Sequence, residues 1–277
     1  MTWQRGRRSG NVEDRRGRAP AGVKLGGGVL LIAVVITLLT GDPTALIRAL
    51  GSGATASTET PTERSAEEDA LADFVSVILA DTEDTWSGLY AASGAQYQPP
   101  SLVLFTGAVE SVCGMNSAAV GPFYCPPDQR VYIDLSFYRE LQDRFGAPGD
   151  FAQAYVIAHE VGHHVQNLMG IAERVHAARS RANQAESNAL SVRMELQADC
   201  FAGVWAHHAR TPLDPGDVEE GLAAAAAIGD DRLQRAASGR VSPESWTHGS
   251  SEQRVRWFRQ GMRTGDVDAC DTFSGAA

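Results

Sequence analysis

The segment His159-Glu160-Val161-Gly162-His163 constrains this chain more than any other. Two histidines four residues apart on an α-helix lie on one face, about one turn from each other. The neighbours Val156, Ile157, Ala158 and Val161 mark the helix as largely buried, and a buried helix rarely carries such polar groups without a partner. This spacing lets both imidazoles reach one zinc ion. Glu160, beside the first histidine, is placed to take a proton from water at the metal without being a ligand itself. Asp150 with Gln153 three residues later resembles a capping box, so a helix is expected from Ala154 to about Leu168.

A zinc site of this kind needs a third ligand. Glu195-Leu196-Gln197-Ala198-Asp199 lies in a second helical stretch, Ala189 to Trp205. Glu195 and Asp199 share a face, and Met194, Leu196, Cys200 and Phe201 make that face partly buried. Glu195 is the candidate third ligand, leaving a fourth position for water. Asp199 is the candidate acceptor for the other imidazole N–H of a ligand, His159 being the nearer choice. His164 points about 100° away from His163 and is read as packing or surface; His176, His207 and His208 are read as structural.

Around them the chain alternates in character. Leu71 to Leu79 has helical spacing, and a second helix is expected near Trp86, Leu89 and Tyr90. Leu102–Phe105 and Val131–Asp134 read as short strands separated by Gly, Pro and Asn. Beyond residue 136 the pattern is helical almost to the end. The fold class expected is α+β, mostly helical, with a small sheet ahead of the main helix.

Residues 1–24 carry six Arg and one Lys against Glu13 and Asp14, a balance of +5, so the remainder holds −15 of the total −10. An acidic main domain excludes a nucleic-acid partner on charge grounds, since phosphate binding relies on cations. An apolar run follows the basic segment and ends at Asp42-Pro43. Its flanking charge predicts a transmembrane helix at 25–41, with residues 1–24 cytoplasmic and the remainder outside the cytoplasm; a cleaved signal peptide is the alternative. Residues 42–66 read as a flexible linker, and 67–277 as the folded domain. Cys113, Cys125, Cys200 and Cys270 lie in that domain. An even count in an oxidising compartment suggests two disulfides, Cys113–Cys125 and Cys200–Cys270 being favoured among three connectivities.

For the remaining chemistry, His248 in Trp246-Thr247-His248-Gly249 is the candidate donor to a developing oxyanion, with Tyr155 as a rival. It precedes a helix capped by Ser250 with Gln253. Arg254, on that helix, is assigned to substrate anchoring or to bracing of the site.

These residues resemble those of the neutral zinc metallopeptidase family of bacteria. The resemblance covers most of 70–274 and rests on Gly149–Gln166, Glu195–Gly203, Gly121–Pro126, Val131–Asp134, Ala227–Leu233 and Thr247–Arg254. It implies a zincin-like, zinc-dependent peptidase acting on peptide or protein substrates, in a single-pass membrane protein. A non-catalytic zinc-stabilised binding module and a zinc amidase for cell-wall peptides are the alternatives. Oligomeric state is not legible.

Overall fold

The computed structural model describes residues 1–17, 65–118 and 121–274. The first long helix, α1 (Ala66–Ala92), begins with a capping box between Ser65 and Glu68. Glu67, Glu68 and Asp69 in its first turn suit the positive end of the helix dipole. With no proline to break it, α1 runs through Trp86 and Tyr90, so the second helix expected there is its continuation. Its buried face carries Phe74, Val75, Ile78, Leu79 and Trp86.

A four-stranded sheet follows, built from β1 (Val12–Asp14), β2 (Ser101–Phe105), β5 (Phe123–Cys125) and β6 (Arg130–Asp134), in the order β1-β2-β6-β5. Strands β1, β2 and β6 are parallel, and β5 is antiparallel to β6. Alternate residues of β2 and β6 enter two different cores, because successive side chains leave a strand on opposite faces. Leu102, Leu104, Val131 and Ile133 join the helical core. Val103, Phe105 and Tyr132 join a smaller one with Val109 and Cys125. Burial on both faces explains why these strands read as unbroken apolar runs. A separate hairpin, β3 (Ala108–Ser111) with β4 (Gly114–Ser117), is tied to β5 by the disulfide Cys113–Cys125.

The remainder is helical: α2 (Ser136–Asp143), α3 (Asp150–Leu168), α4 (Ile171–Arg179), α5 (Gln184–His208), α6 (Asp217–Ala227), α7 (Asp230–Ser238) and α8 (Ser251–Thr264). Helices α3 and α5 approach closely where Gly162 meets Ala198. A Cβ on Gly162 would lie 2.9 Å from the Ala198 carbonyl oxygen and 3.1 Å from its Cα. The second disulfide, Cys200–Cys270, pins the C-terminal segment against α5. Both favoured cysteine pairings are thus present. The α+β, mostly helical expectation also holds.

Two expectations need correction. Helix α3 starts at Asp150 rather than Ala154, and Asp150 is not its cap. Gly149 precedes the helix at φ 113°, Glu220 accepts from the Phe151 N–H at 3.2 Å, and the Asp150 carboxylate accepts from the Met1 amine at 2.9 Å. The larger correction concerns the membrane. Among the described residues no helix is long and apolar enough to cross a bilayer. Residues 25–41, where the transmembrane helix was expected, lie outside the described residues. The single-pass arrangement also placed residues 1–24 on the opposite side from the domain, whereas residues 1–16 form one compact unit with residues 65–277. Strand β1 is hydrogen-bonded into the sheet. Three of the arginines read as a membrane flank pair with acids of α1: Arg7 with Glu83 and Asp84, Arg8 with Asp73, and Arg16 with Asp69; Arg15 pairs with Glu13, and Arg16 also with Asp14, on β1 itself. Their charge answers the acidic helix, which is why it misled a reading based on flanking charge alone.

Candidate metal centre

Helix α3 buries Phe151, Ala154, Ile157, Ala158 and Val161 in the core. That fixes the rotation of the helix and turns Val156, His159, Glu160 and His163 toward one cleft. Helix α5 buries Leu196, Ala198 and Phe201, meets α3 at Ala198, and presents Glu195 to the same cleft. One donor atom each from His159, His163 and Glu195 lies within 4.8 Å of the others. His159 Nε2 is 3.2 Å and His163 Nε2 3.5 Å from the Glu195 carboxylate.

Partners behind the histidines set their tautomers. Asp199 accepts from His159 Nδ1 at 2.9 Å. Gln166 Oε1 lies 2.9 Å from His163 Nδ1 and accepts its proton. With both Nδ1 atoms engaged from behind, both Nε2 atoms face Glu195. Two imidazoles and a carboxylate converging in this way form a donor set suited to zinc, which would take the place of the Nε2 protons. Electrostatics agree. Burial disfavours charge on His159, yet Asp199 and Glu195 together raise its pKa to about 10. Glu195, also opposed by burial, is held well below the usual carboxylate range by the two histidines. The cluster therefore attracts a cation.

Asp199 is fully buried and sits at the centre of a second group. Arg254, only 1 % exposed, donates Nε and Nη2 to its two oxygens at 2.8 Å each. The Tyr155 hydroxyl also donates to Asp199 and accepts from Arg254. Arg254 is thus spent on Asp199, behind His159. Arg254 also donates to the Ile228 carbonyl and reaches the wall of the cleft. Tyr155 has its hydroxyl committed in the same place.

The cleft, a cavity of about 430 Å³, continues past the metal cluster along Phe123, Tyr124, Phe137, Phe145, Ile228 and Leu233. Glu160 lines it; burial pushes its carboxyl above the ordinary range, opposed by the neighbouring histidines. His248 lines it too, with Nδ1 3.3 Å from Asp230 and 3.0 Å from the Thr247 hydroxyl. Asp230 Oδ2 accepts from the backbone N–H groups of Thr247, His248 and Gly249. The Asp230 carboxylate, more than its partial burial, governs His248 and raises its pKa. Asp230 and Gln166 were assigned no role from sequence. Each lies in a segment that carried the resemblance, but their function depends on contacts between helices that spacing does not reveal. His164 turns away from the cleft, between the Tyr124 hydroxyl and the Gln98 carbonyl oxygen.

Comparison with known proteins gives the family of the chain. The profile of the family described as "Putative neutral zinc metallopeptidase" matches residues 1–273. The chain is 50% identical over 284 residues to "Uncharacterized protein YpfJ" of Escherichia coli strain K12, covering 99% of each. It is 49% identical over 195 residues to "Uncharacterized protein Rv2575" of Mycobacterium tuberculosis strain H37Rv, covering 65% of this chain and 64% of that one. No solved structure matches it. The chain belongs to the neutral zinc metallopeptidase family, whose cofactor is zinc.

Proposed function

We propose that this protein hydrolyses peptide bonds, with His159, His163 and Glu195 holding zinc and Glu160 serving as the general base. The observation that carries this reading is the convergence of the three donors, with both imidazole tautomers set, in a cleft that Glu160 also lines. When bound, zinc supplies a Lewis acid that lowers the pKa of water toward ~7 and polarises a carbonyl.

The chain's own groups supply the rest. Glu160 takes a proton from the attacking water and returns it to the leaving amine; a positioned base of this kind contributes about 10²–10⁴-fold. His248, its Nδ1 engaged by Asp230, retains Nε2 to donate to the developing oxyanion. Asp199 and Arg254 keep His159 in one tautomer and one orientation. Strand β6 is paired on both sides, whereas β5 forms the edge of the sheet beside the cleft. An extended peptide would add to β5, its backbone supplying affinity and the cleft reading its side chains.

The test uses the full chain loaded with one zinc per molecule and a diverse peptide pool. Cleavage should appear, stop when a chelator removes the metal, and return on adding zinc. A pool left uncut by the zinc-loaded protein, or cuts that persist after metal removal, would contradict the proposal.

A further inference from the structure

The proton on His163 Nδ1 is the start of a chain of buried amides. Gln166, fully buried, accepts it with Oε1. Both hydrogens of the Gln166 amide are used in turn: Nε2 donates to the Met194 carbonyl at 2.7 Å and to Gln197 Oε1 at 3.1 Å. Gln197, 5 % exposed, donates its own Nε2 to the Cys270 carbonyl at 3.0 Å. Cys270 is fully buried and bonded to Cys200 of α5.

The direction of these bonds is dictated from the far end. A carbonyl can only accept, so Cys270 forces Gln197 to present its nitrogen to the tail and its oxygen to Gln166. Gln197 and the Met194 carbonyl, both acceptors, force Gln166 to present nitrogen to them and oxygen to His163. His163 is then left with Nε2, toward Glu195, as the nitrogen that a metal can take. The Gln166 amide also joins the two helices that carry the metal donors, since Met194 is the residue before Glu195. A reversed Gln197 amide would set donor against donor in a buried site, and such a mismatch is costly.

We propose that Gln166 and Gln197 are positioning residues for the metal centre, and that the Cys270 carbonyl, anchored by the Cys200–Cys270 disulfide, orients both, so that the C-terminal segment controls how tightly zinc is held. This inference rests on the reading of His163 as a zinc ligand. Residues that orient a ligand from behind typically change metal affinity by about 10–100-fold. Gln166, in direct contact, carries the larger share. Gln197 acts through it while the Met194 carbonyl remains as a second guide, so a loss of about 3–10-fold is expected there.

The experiment measures zinc affinity by competition with a chromogenic chelator, the visible spectrum of the cobalt-substituted protein, and the melting temperature without metal. It uses the full chain as wild type, His163→Ala, Gln166→Met, Gln197→Met, and Cys200→Ala with Cys270→Ala. Gln166→Met and Gln197→Met should weaken zinc in that order and alter the cobalt spectrum, a readout that lost packing alone would not move. Gln197→Met added to the disulfide-free protein should cost little more, because both changes remove the same constraint. Should the disulfide-free protein fail to fold, Gln197→Met alone decides. Affinity within twofold of wild type and an unchanged cobalt spectrum in Gln197→Met would overturn the relay. If His163→Ala itself kept zinc, the ligand assignment would fall first and the relay with it, an outcome distinct from failure of the relay alone.

Discussion

Replacing Arg254 with methionine removes the guanidinium but keeps a similar apolar length. The change leaves Asp199, fully buried, with only the Tyr155 hydroxyl and His159 Nδ1 as donors in place of a bidentate partner at 2.8 Å. Removing one member of a buried ion pair costs about 3–5 kcal/mol, mostly for the charge left behind. Against a typical total of about 5–15 kcal/mol this is severe. For a unit of this size each kcal/mol moves the melting temperature by about 2–4 °C, so a fall of roughly 6–20 °C is expected in metal-free protein. Calorimetry in the presence of a chelator measures it without the stabilisation that bound zinc adds to the folded state. The double variant Arg254→Met, Asp199→Asn should recover part of the loss, with a coupling of at least about 2 kcal/mol. A fall below about 2 °C, or additive single changes, would refute the claim that the pair acts as one buried unit.

Three further outcomes follow from the same geometry. Asp230 raises the pKa of His248; His248 donates while protonated and loses that form as pH rises through its pKa. Asp230→Asn lowers that pKa, so the alkaline limb of kcat/KM should move toward lower pH, and an unmoved limb would remove His248 from the reaction. Gly162→Val should force α3 and α5 apart at Ala198, costing about 1–3 kcal/mol by overpacking and weakening zinc affinity; a variant with unchanged melting temperature and zinc affinity would contradict that contact. Deleting residues 1–16 removes β1 from the sheet edge, strips Glu83 and Asp73 of their arginines and leaves Asp84 with Arg210 alone. The truncated chain should melt lower and aggregate on heating, whereas an unchanged melting temperature would show those contacts to be dispensable.

Much of this architecture is legible in the sequence because it depends on local periodicity. The stacking of His159 on His163, the shared face of Glu195 and Asp199, the strands at 102–105 and 131–134, and the capping box of Ser250 with Gln253 each arise within one helical turn or one strand. What escaped depends on distant parts of the chain meeting. Asp230 matters because the backbone of residues 247–249 folds over its carboxylate, and Gln166 because α5 brings Met194 and Gln197 to it. Asp150 resembled a cap until the Met1 amine supplied a stronger partner. The arginines of residues 1–16 carry the charge pattern of a membrane flank, and only the packed structure shows that α1 supplies acids to Arg7, Arg8 and Arg16.

The central claim is that Glu160 acts as base beside a zinc held by His159, His163 and Glu195. Its most direct test is to compare the wild-type chain with Glu160→Gln, each carrying one zinc per molecule, on the same peptide pool. Glutamine keeps the shape of the side chain but cannot take a proton, so the account predicts unchanged zinc content and a loss of cleavage of at least about 10²-fold. Equal cleavage by both proteins would contradict it.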